Sequence, residues 1–226
     1  VGKDPTPPTP PSPPTEDGYV RISDLSDLVE GSYVVFAARF DENASDYYAM
    51  SNTASGKPTG VLFTSELSGD NEVLPATITD EENNYYWIVG ITVNGYTFTN
   101  ANGELIGYTS STNFATGGNN IEWSITNETS GEGTMVPNYT GFVITNVNND
   151  GRAFALNNSY NFGPYAKSNM AGAQAGNYNF YLDLFVKTEG IEPPTPVVAT
   201  PTFTPDAGTY YEEQTVSIAC TSLDRK

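Results

Sequence analysis

The chain has 226 residues, enough to bury the core of one or two domains. It carries 27 Asp and Glu against 9 Lys and Arg, a formal charge of −18, which argues against nucleic acid and anionic membranes as partners because both are bound through positive charge. With no His and one Cys, the sequence excludes a His-based catalytic triad, a His-ligated or four-cysteine zinc site and an internal disulfide.

The first segment is a proline-rich linker. Residues 1–17 contain seven prolines and no apolar residue after Val1. Such a run favours an extended polyproline II conformation and cannot bury enough surface to fold. We expect a disordered spacer, joined to an upstream domain or anchor. No window of the sequence approaches the roughly 18 apolar residues of a membrane span, so we expect no membrane-spanning segment.

Residues 18–190 are predicted to form an all-β main domain. A short helical turn opens it, with Ser23 as N-cap and Gly31 as its end. After that turn, apolar residues alternate at period two, and the Gly-containing pairs Asn94-Gly95, Asn102-Gly103, Gly117-Gly118 and Asp150-Gly151 suit hairpin turns. The predicted strands are SYVVFAARF, YYWIVGITV, GYTFTN, IEWSIT, GFVITNV, RAFALN and NFYLDLFVK.

Three stretches of this domain share an order of features. Each has a first strand, a short hairpin partner, a loop with a Phe and a closing strand; the first strands begin at Tyr33, Tyr96 and Phe142. Repeated units of this kind cannot bury their apolar faces alone and pack against one another. The pattern resembles a β-trefoil, and another closed antiparallel β-barrel or a sandwich without repeats is the alternative. The Gln-x-Trp motif of ricin-type trefoil lectins is missing, because Trp87 and Trp123 follow no Gln at that spacing.

After a second proline-rich linker at residues 191–198, the chain ends in residues 199–226. The segment PTFTPDAGTYYEEQTVSIAC resembles the opening of the chitobiase/β-hexosaminidase C-terminal repeat, a small immunoglobulin-like β-sandwich. The matching positions are Pro201, Phe203, Pro205, Gly208, Thr209, Tyr210, Val216, Ile218, Cys220 and Thr221. The resemblance implies a truncated sandwich, because two strands cannot form the opposing sheet that such a fold needs.

That family implies an accessory module of multi-domain secreted proteins. Together with the proline-rich linker, it points to a modular surface protein of the Bacteroidota type, and we expect a lipoprotein. The opening of the main domain, Gly-Tyr-Val followed by Gly-Ser-Tyr-Val, is similar to the same class of proteins. We therefore expect an extracellular or outer-surface anchored protein with covalently linked domains upstream and downstream.

No pattern of residues predicts catalysis or metal binding. Glu122 and Asp183 each lie between two apolar residues of a predicted strand, which on an antiparallel sheet indicates the solvent-facing side. Asp41, Asn43 and Asp46 could hold calcium in a long loop, but a solvated loop is the more ordinary interpretation. We expect no catalytic residue, no bound metal and no cofactor.

Aromatic side chains next to amides are the best ligand-binding candidates, since sugars are bound by aromatic faces and by side chains that pair with hydroxyls. At the ends of the three repeated units, the candidates are Tyr47, Tyr48, Tyr108, Asn113, Asn161 and Tyr165. The sequence thus predicts a non-catalytic module that binds a glycan or another extracellular ligand. The alternative is a structural or adhesion spacer with no small-ligand site.

Overall fold

The computed structural model describes residues 18–41, 46–109, 111–117 and 120–187, and the backbone of two short strands at 202–204 and 217–219. The chain divides into two compact units, Val1–Glu189 and Gly190–Lys226. The two predicted linkers, residues 1–17 and 191–198, lie outside the described residues.

The first unit consists of short β-strands. In chain order they are β1 (Val20–Arg21), β2 (Tyr33–Ala38), β3 (Asp46–Met50), β4 (Gly60–Thr64), β5 (Glu66–Ser68), β6 (Asn71–Val73), β7 (Trp87–Ile91), β8 (Tyr96–Thr99), β9 (Ile106–Tyr108), β10 (Phe114–Thr116), β11 (Trp123–Thr129), β12 (Thr140–Asn146), β13 (Asn149–Asn157), β14 (Phe162–Ala166), β15 (Tyr178–Asn179) and β16 (Asp183–Lys187). Every predicted strand segment overlaps one of them, which confirms the all-β class.

Helical structure in the described ranges is limited to short turns. The α-helix α1 (Ala76–Thr79) follows Pro75, and four 3-10 helices span Leu25–Asp27, Glu82–Asn84, Lys167–Met170 and Gly172–Asn177. None of these is long and apolar enough to cross a membrane. The predicted opening turn is the first 3-10 helix, but Ser23 is not its cap: the Asp24 carboxylate accepts the Ser26 N–H at 2.8 Å.

All strand pairs are antiparallel, and most belong to one sheet. Its hydrogen-bonded order is β14-β13-β12-β11-β8-β7-β2-β16-β1-β6-β5, with β3 and β15 attached to β2 and β13, and β4 to β3. This path of strands is open at both ends, so the assigned strands do not make the closed barrel expected from the sequence. One further bridge joins β12 to the residue before β16, with Phe142 and Leu182 exchanging N–H···O bonds of 2.8 and 2.9 Å.

Three hairpins follow the repeated order seen in the sequence. In each hairpin, the second strand contains a Phe and pairs with the first. The pairs are β3 with β4, β9 with β10, and β13 with β14. The Phe residues lie opposite Tyr47, Tyr108 and Leu156, respectively. The prediction of a turn at Asp150-Gly151 is wrong, because β13 already begins at Asn149. A register shift between Thr145 and Asn146 of β12 accommodates the extra residues of β13.

The core of this unit lies on both sides of its central strand. Along β2, Val34, Phe36 and Ala38 belong to the main apolar cluster, which also contains both tryptophans. Val35 and Ala37 face a second cluster. Because β2 is covered on both faces, the strand reads as a continuous apolar run rather than as an alternating one.

In the second unit, the structure describes one antiparallel pair. Strand β17 (Thr202–Thr204) pairs with β18 (Ser217–Ala219), and Phe203 lies opposite Ile218. Most of the segment that resembles the chitobiase-type repeat lies outside the described residues, so its resemblance stays a prediction.

Candidate functional site

Tyr47, the first predicted ligand-binding residue, lies inside the protein. It has no exposed surface and stacks on Phe63 with ring centroids 5.3 Å apart. Its hydroxyl donates to the Glu72 carboxylate at 2.8 Å and accepts a hydrogen bond from Arg39. Burial, with the nearby charge of Asp183, raises the pKa of the Tyr47 phenol. Its functional groups are thus satisfied within the fold.

Tyr47 belongs to a cluster that we call the buried polar network, which consists of Arg21, Arg39, Tyr47, Glu72, Tyr139 and Asp183. Asp183 is 2% exposed, with Arg21 Nε 2.6 Å from Oδ1 and the Tyr139 hydroxyl 2.6 Å from Oδ2. The Arg39 guanidinium lies 4.7 Å from the ring centroids of both Tyr47 and Tyr139. Two guanidinium groups therefore face two carboxylates, and the network is electrically balanced.

The solvent-facing position expected for Asp183 is therefore wrong. The outer face of β16 at this point is covered by Arg21 from β1 and by Tyr139, which precedes β12. Burial raises the pKa of the Asp183 carboxyl, and the Arg21 guanidinium opposes that rise. The alternating pattern of the sequence shows which face Asp183 is on, but not that a second layer covers that face.

Tyr108 and Tyr165 are also buried. The guanidinium of Arg152 lies 5.5 Å from the Tyr108 ring centroid. The Tyr165 hydroxyl accepts a hydrogen bond from Asn157 Nδ2 at 2.8 Å, and its ring packs 4.7 Å from that of Tyr178. Burial raises the pKa of Tyr165 to about 12. Both rings therefore have partners inside the protein.

The two predicted amides lie in hairpin loops. Asn113 is exposed, and its backbone N–H is bonded to the Ser111 hydroxyl at 3.0 Å. Asn161 is half-buried and donates through Nδ2 to the Ser159 carbonyl at 2.9 Å. Nothing in the structure brings all six predicted residues together at one place.

Among the predicted tyrosines, Tyr48 reaches the surface. It belongs to an aromatic group that we call the aromatic platform: Phe40, Tyr48 and Tyr160. The rings of Tyr48 and Tyr160 stack at 4.7 Å with an angle of 22° between their planes. Phe40 contacts both, at 4.6 Å from Tyr160 and 5.9 Å from Tyr48. Tyr160 is 41% exposed. The platform presents aromatic surface to solvent.

The loop between β13 and β14 fixes the position of Tyr160. The Asn157 side-chain oxygen accepts the backbone N–H groups of Ser159 and Asn161 at 2.9 and 3.0 Å, and Tyr160 N–H donates to the Asn157 carbonyl. Within this turn, Tyr160 adopts a φ of 59°, a left-handed conformation that bulky residues rarely take. The turn therefore holds the ring in place at a cost in backbone energy.

A glycine lets the same turn dock against the β3–β4 hairpin. Gly60 N–H donates to the Tyr160 carbonyl at 2.7 Å. A Cβ at this position would lie 3.1 Å from that carbonyl oxygen, 3.1 Å from Tyr48 Cβ and 3.2 Å from a Leu156 methyl. The close approach of the two hairpins thus depends on the missing side chain at Gly60, and it brings Tyr48 and Tyr160 together.

The surface around the platform is apolar and acidic. Leu62 lies opposite Tyr48 in the β3–β4 pair and is 58% exposed. Asp46 is exposed, lies two residues before Tyr48 on the same strand face, and accepts a hydrogen bond from the Thr64 hydroxyl at 2.7 Å. Burial, Tyr160 and the carboxylates of Asp41 and Asp46 raise the pKa of the Tyr48 phenol.

A separate cleft lies beside the buried polar network, with a volume of about 220 Å³. Its lining includes Arg21, Ser23, Asn127, Thr140, Phe142 and Asp183. The two charged groups at its wall already pair with each other at 2.6 Å, so the cleft offers a ligand few unsatisfied charges. Within the ranges that the structure describes, no three acidic or cysteine side chains come together as a metal site.

Sequence reasoning missed Phe40 and Tyr160. Tyr160 follows Asn157, Asn158 and Ser159, residues that are typical of turns, and an aromatic residue in such a turn is the signal that could have identified it. Phe40 lies two residues after the end of the buried strand β2 and belongs to the predicted strand segment SYVVFAARF. Comparison with known protein families finds no family model that matches the chain, and comparison with curated proteins finds no significant match.

Proposed function

We propose that the chain is a non-catalytic, carbohydrate-binding module of a larger extracellular or cell-surface protein. The observation that carries the proposal is the aromatic platform. Its rings are held by a hydrogen-bonded turn and a close hairpin contact, yet the outermost ring, Tyr160, keeps 41% of its surface exposed. A binding site that is formed before the ligand arrives loses little conformational entropy on binding.

The chemistry of the platform suits a sugar ring. Tyrosine has an apolar face that packs against C–H groups and a hydroxyl that can pair with a sugar hydroxyl. The amide of Asn161 directly follows Tyr160 in the same loop and can donate or accept hydrogen bonds. Apolar faces with a few polar groups at their rim are the usual composition of small-ligand sites.

Glycan-array binding of the full chain tests the proposal, with Tyr160→Ala and Tyr48→Ala as variants. Each should weaken binding about tenfold or more, because an aromatic anchor at the centre of a site contributes about 2 kcal/mol. Tyr86→Ala is the matched control: Tyr86 forms a half-exposed pair with Tyr33 at 4.7 Å, away from the platform. It should leave binding unchanged.

A structural or adhesion spacer is the second candidate function. The complete burial of Tyr47 and the near-complete burial of Tyr108 and Tyr165 favour it, since these rings stabilise the fold rather than face a ligand. A chain that binds no glycan on the array, and whose platform variants behave like the parent, would support the spacer and contradict carbohydrate binding.

We also propose that the first unit is a trefoil-like barrel. Pairings link six strands in the order β16–β2–β7–β8–β11–β12. The Phe142–Leu182 bridge joins β12 to the residue before β16 and supports closure of this order into a ring. The three hairpins described above follow the first strand of each repeated unit, as in a trefoil. The chitobiase-type sandwich of residues 199–226 stays a proposal on its sequence resemblance alone.

Gly141→Ala tests the closure of this ring. A Cβ at Gly141 would lie 2.8 Å from the Tyr181 carbonyl carbon and 3.0 Å from the Leu182 carbonyl oxygen, and backbone atoms cannot move aside cheaply. The variant should lose about 2 kcal/mol of unfolding free energy and the slow hydrogen exchange of the Phe142 and Leu182 amides. Gly131→Ala, which has open space around its Cβ, is the control. Unchanged exchange in Gly141→Ala would contradict a closed ring.

A further inference from the structure

The charges around the platform bear on which sugars it accepts. Between residues 18 and 189 the sequence has 19 acidic and 6 basic residues, a formal charge of −13. Asp41 and Asp46 flank the platform directly, since one follows Phe40 in the chain and the other precedes Tyr48 on its strand face. A glycan that reaches Tyr48 and Tyr160 therefore enters a negative electrostatic potential.

Recognition of a carboxylate or sulfate group on a sugar would need a nearby cation, ordinarily an Arg or Lys. Each of the six Lys and Arg residues between positions 18 and 187 has a partner within the protein, and the exposed Lys57 has the most distant one. The contacts are Arg21 with Asp183 at 2.6 Å, Arg39 with Tyr47, Lys57 with the Tyr165 ring at 5.7 Å, Arg152 with the Tyr108 ring at 5.5 Å, Lys167 with Thr145 at 3.3 Å, and Lys187 with Glu82 at 3.2 Å.

None of these partners is a platform residue. The three platform rings offer faces of negative electrostatic potential, which attract an ammonium group and repel an anion. The aromatic faces and the two flanking carboxylates therefore both attract a cationic ligand and repel an anionic one.

We propose, on the basis of the carbohydrate-binding function above, that the platform selects glycans by charge. It binds uronate, sialylated and sulfated glycans more weakly than neutral ones. It binds sugars with a protonated amine more tightly than their neutral counterparts. For charges about 7 Å apart in water, Coulomb's law gives roughly a threefold change in affinity per carboxylate. The amine should gain that factor from Asp41 and again from Asp46.

The test is an array on which each backbone linkage is present in a neutral, an amino and a uronate or sulfated form. Binding of the full chain is measured at about pH 5.5. We expect the amino form to bind roughly three- to tenfold more tightly than the neutral form of the same backbone. The anionic forms should bind roughly three- to tenfold more weakly than the neutral form, and the preference for the amino form should shrink in high salt, which screens exposed charges.

Two variants with the same change in net charge separate local from overall electrostatics. Asp41→Asn combined with Asp46→Asn should abolish the preference for the amino form and leave neutral-glycan binding unchanged. Glu132→Gln combined with Asp150→Asn removes two exposed carboxylates elsewhere and should keep the preference. An equal loss in both double variants would overturn a local origin of the selectivity.

The outcomes distinguish this inference from the function on which it rests. Anionic glycans that bind as well as their neutral counterparts, with loss of that binding in Tyr160→Ala, would overturn charge selection and leave carbohydrate binding standing. An array on which no form of any backbone binds would overturn both.

Discussion

Tyr47 and Tyr48 are neighbours in one strand, and they differ in almost everything except their chemical identity. Tyr47 points inward, has no exposed surface, stacks on Phe63 and joins the buried polar network. Tyr48 points to the opposite face and stacks on the exposed Tyr160. Successive residues of a strand alternate between faces, so an identical side chain serves the stability of the fold at one position and the candidate ligand site at the next.

The largest expected effect comes from the network around Tyr47. Asp183→Asn removes a charge that is 2% exposed and faces Arg21 at 2.6 Å. Breaking a buried pair on one side leaves an uncompensated charge, so the variant should lose about 3 kcal/mol of unfolding free energy. Urea denaturation measures the loss, and Asp150→Asn, at an exposed position, should change stability by less than about 0.5 kcal/mol. Equal stability of the two variants would show that the network does not support the fold.

On the Tyr48 side of the strand, substitutions in the turn that positions Tyr160 should lower the unfolding free energy more than substitutions of the platform rings. Asn157→Ala leaves the backbone N–H groups of Ser159 and Asn161 without their acceptor, at a cost of about 1–2 kcal/mol. Glycan binding should weaken together with stability, because Tyr160 loses its fixed position. Asn158→Ala removes one exposed side-chain bond to Asn177 and should leave both measurements unchanged. Full glycan binding by Asn157→Ala would contradict the role of the turn.

A direct comparison of the two tyrosines removes one oxygen from each. Tyr47→Phe removes one of the two hydroxyls that donate to Glu72 and should cost about 1 kcal/mol of unfolding free energy. Tyr48→Phe, at a half-exposed position, should change stability by less than about 0.5 kcal/mol. The difference in denaturation midpoints between the two variants is the measurement, and equal midpoints would contradict the distinction drawn between the two faces of the strand.

The smallest effect is expected in an alkaline titration followed by ultraviolet absorbance. Burial raises the pKa of both phenols, and the fully buried Tyr47 should ionise after Tyr48. Since the folded-state pKa of Tyr47 lies above its unfolded value of about 10, the stability from its neutral form is complete below that pH and is lost as the pH rises further. The absorbance change that disappears in Tyr48→Phe should therefore occur at lower pH than the one that disappears in Tyr47→Phe. The reverse order would be inconsistent with the burial of Tyr47.

Much of the strand content could be predicted from the sequence, because period-two alternation and Gly-containing turns depend on nearby residues alone. The second layer over the sheet could not. Asp183 shows the reason: its neighbours Leu182 and Leu184 predict an outward position, and only the chain path shows that Arg21 and Tyr139 cover that position. Of the three platform residues, only Tyr48 was a candidate from the sequence. Tyr160 could not be joined to it, because the two residues are 112 positions apart in the numbering and meet through tertiary contacts.

The left-handed conformation of Tyr160 has a consequence for how this chain can vary. A glycine or an asparagine would adopt a φ of 59° with less strain, so selection for stability alone would favour one of those residues at the tip of the turn. A large ring at this position fits a trade of stability for the ligand binding proposed above. If sugar binding is what the ring provides, relatives that keep the ligand should keep an aromatic residue at this position. Relatives that have lost the ligand should relax to the small residues that the backbone prefers.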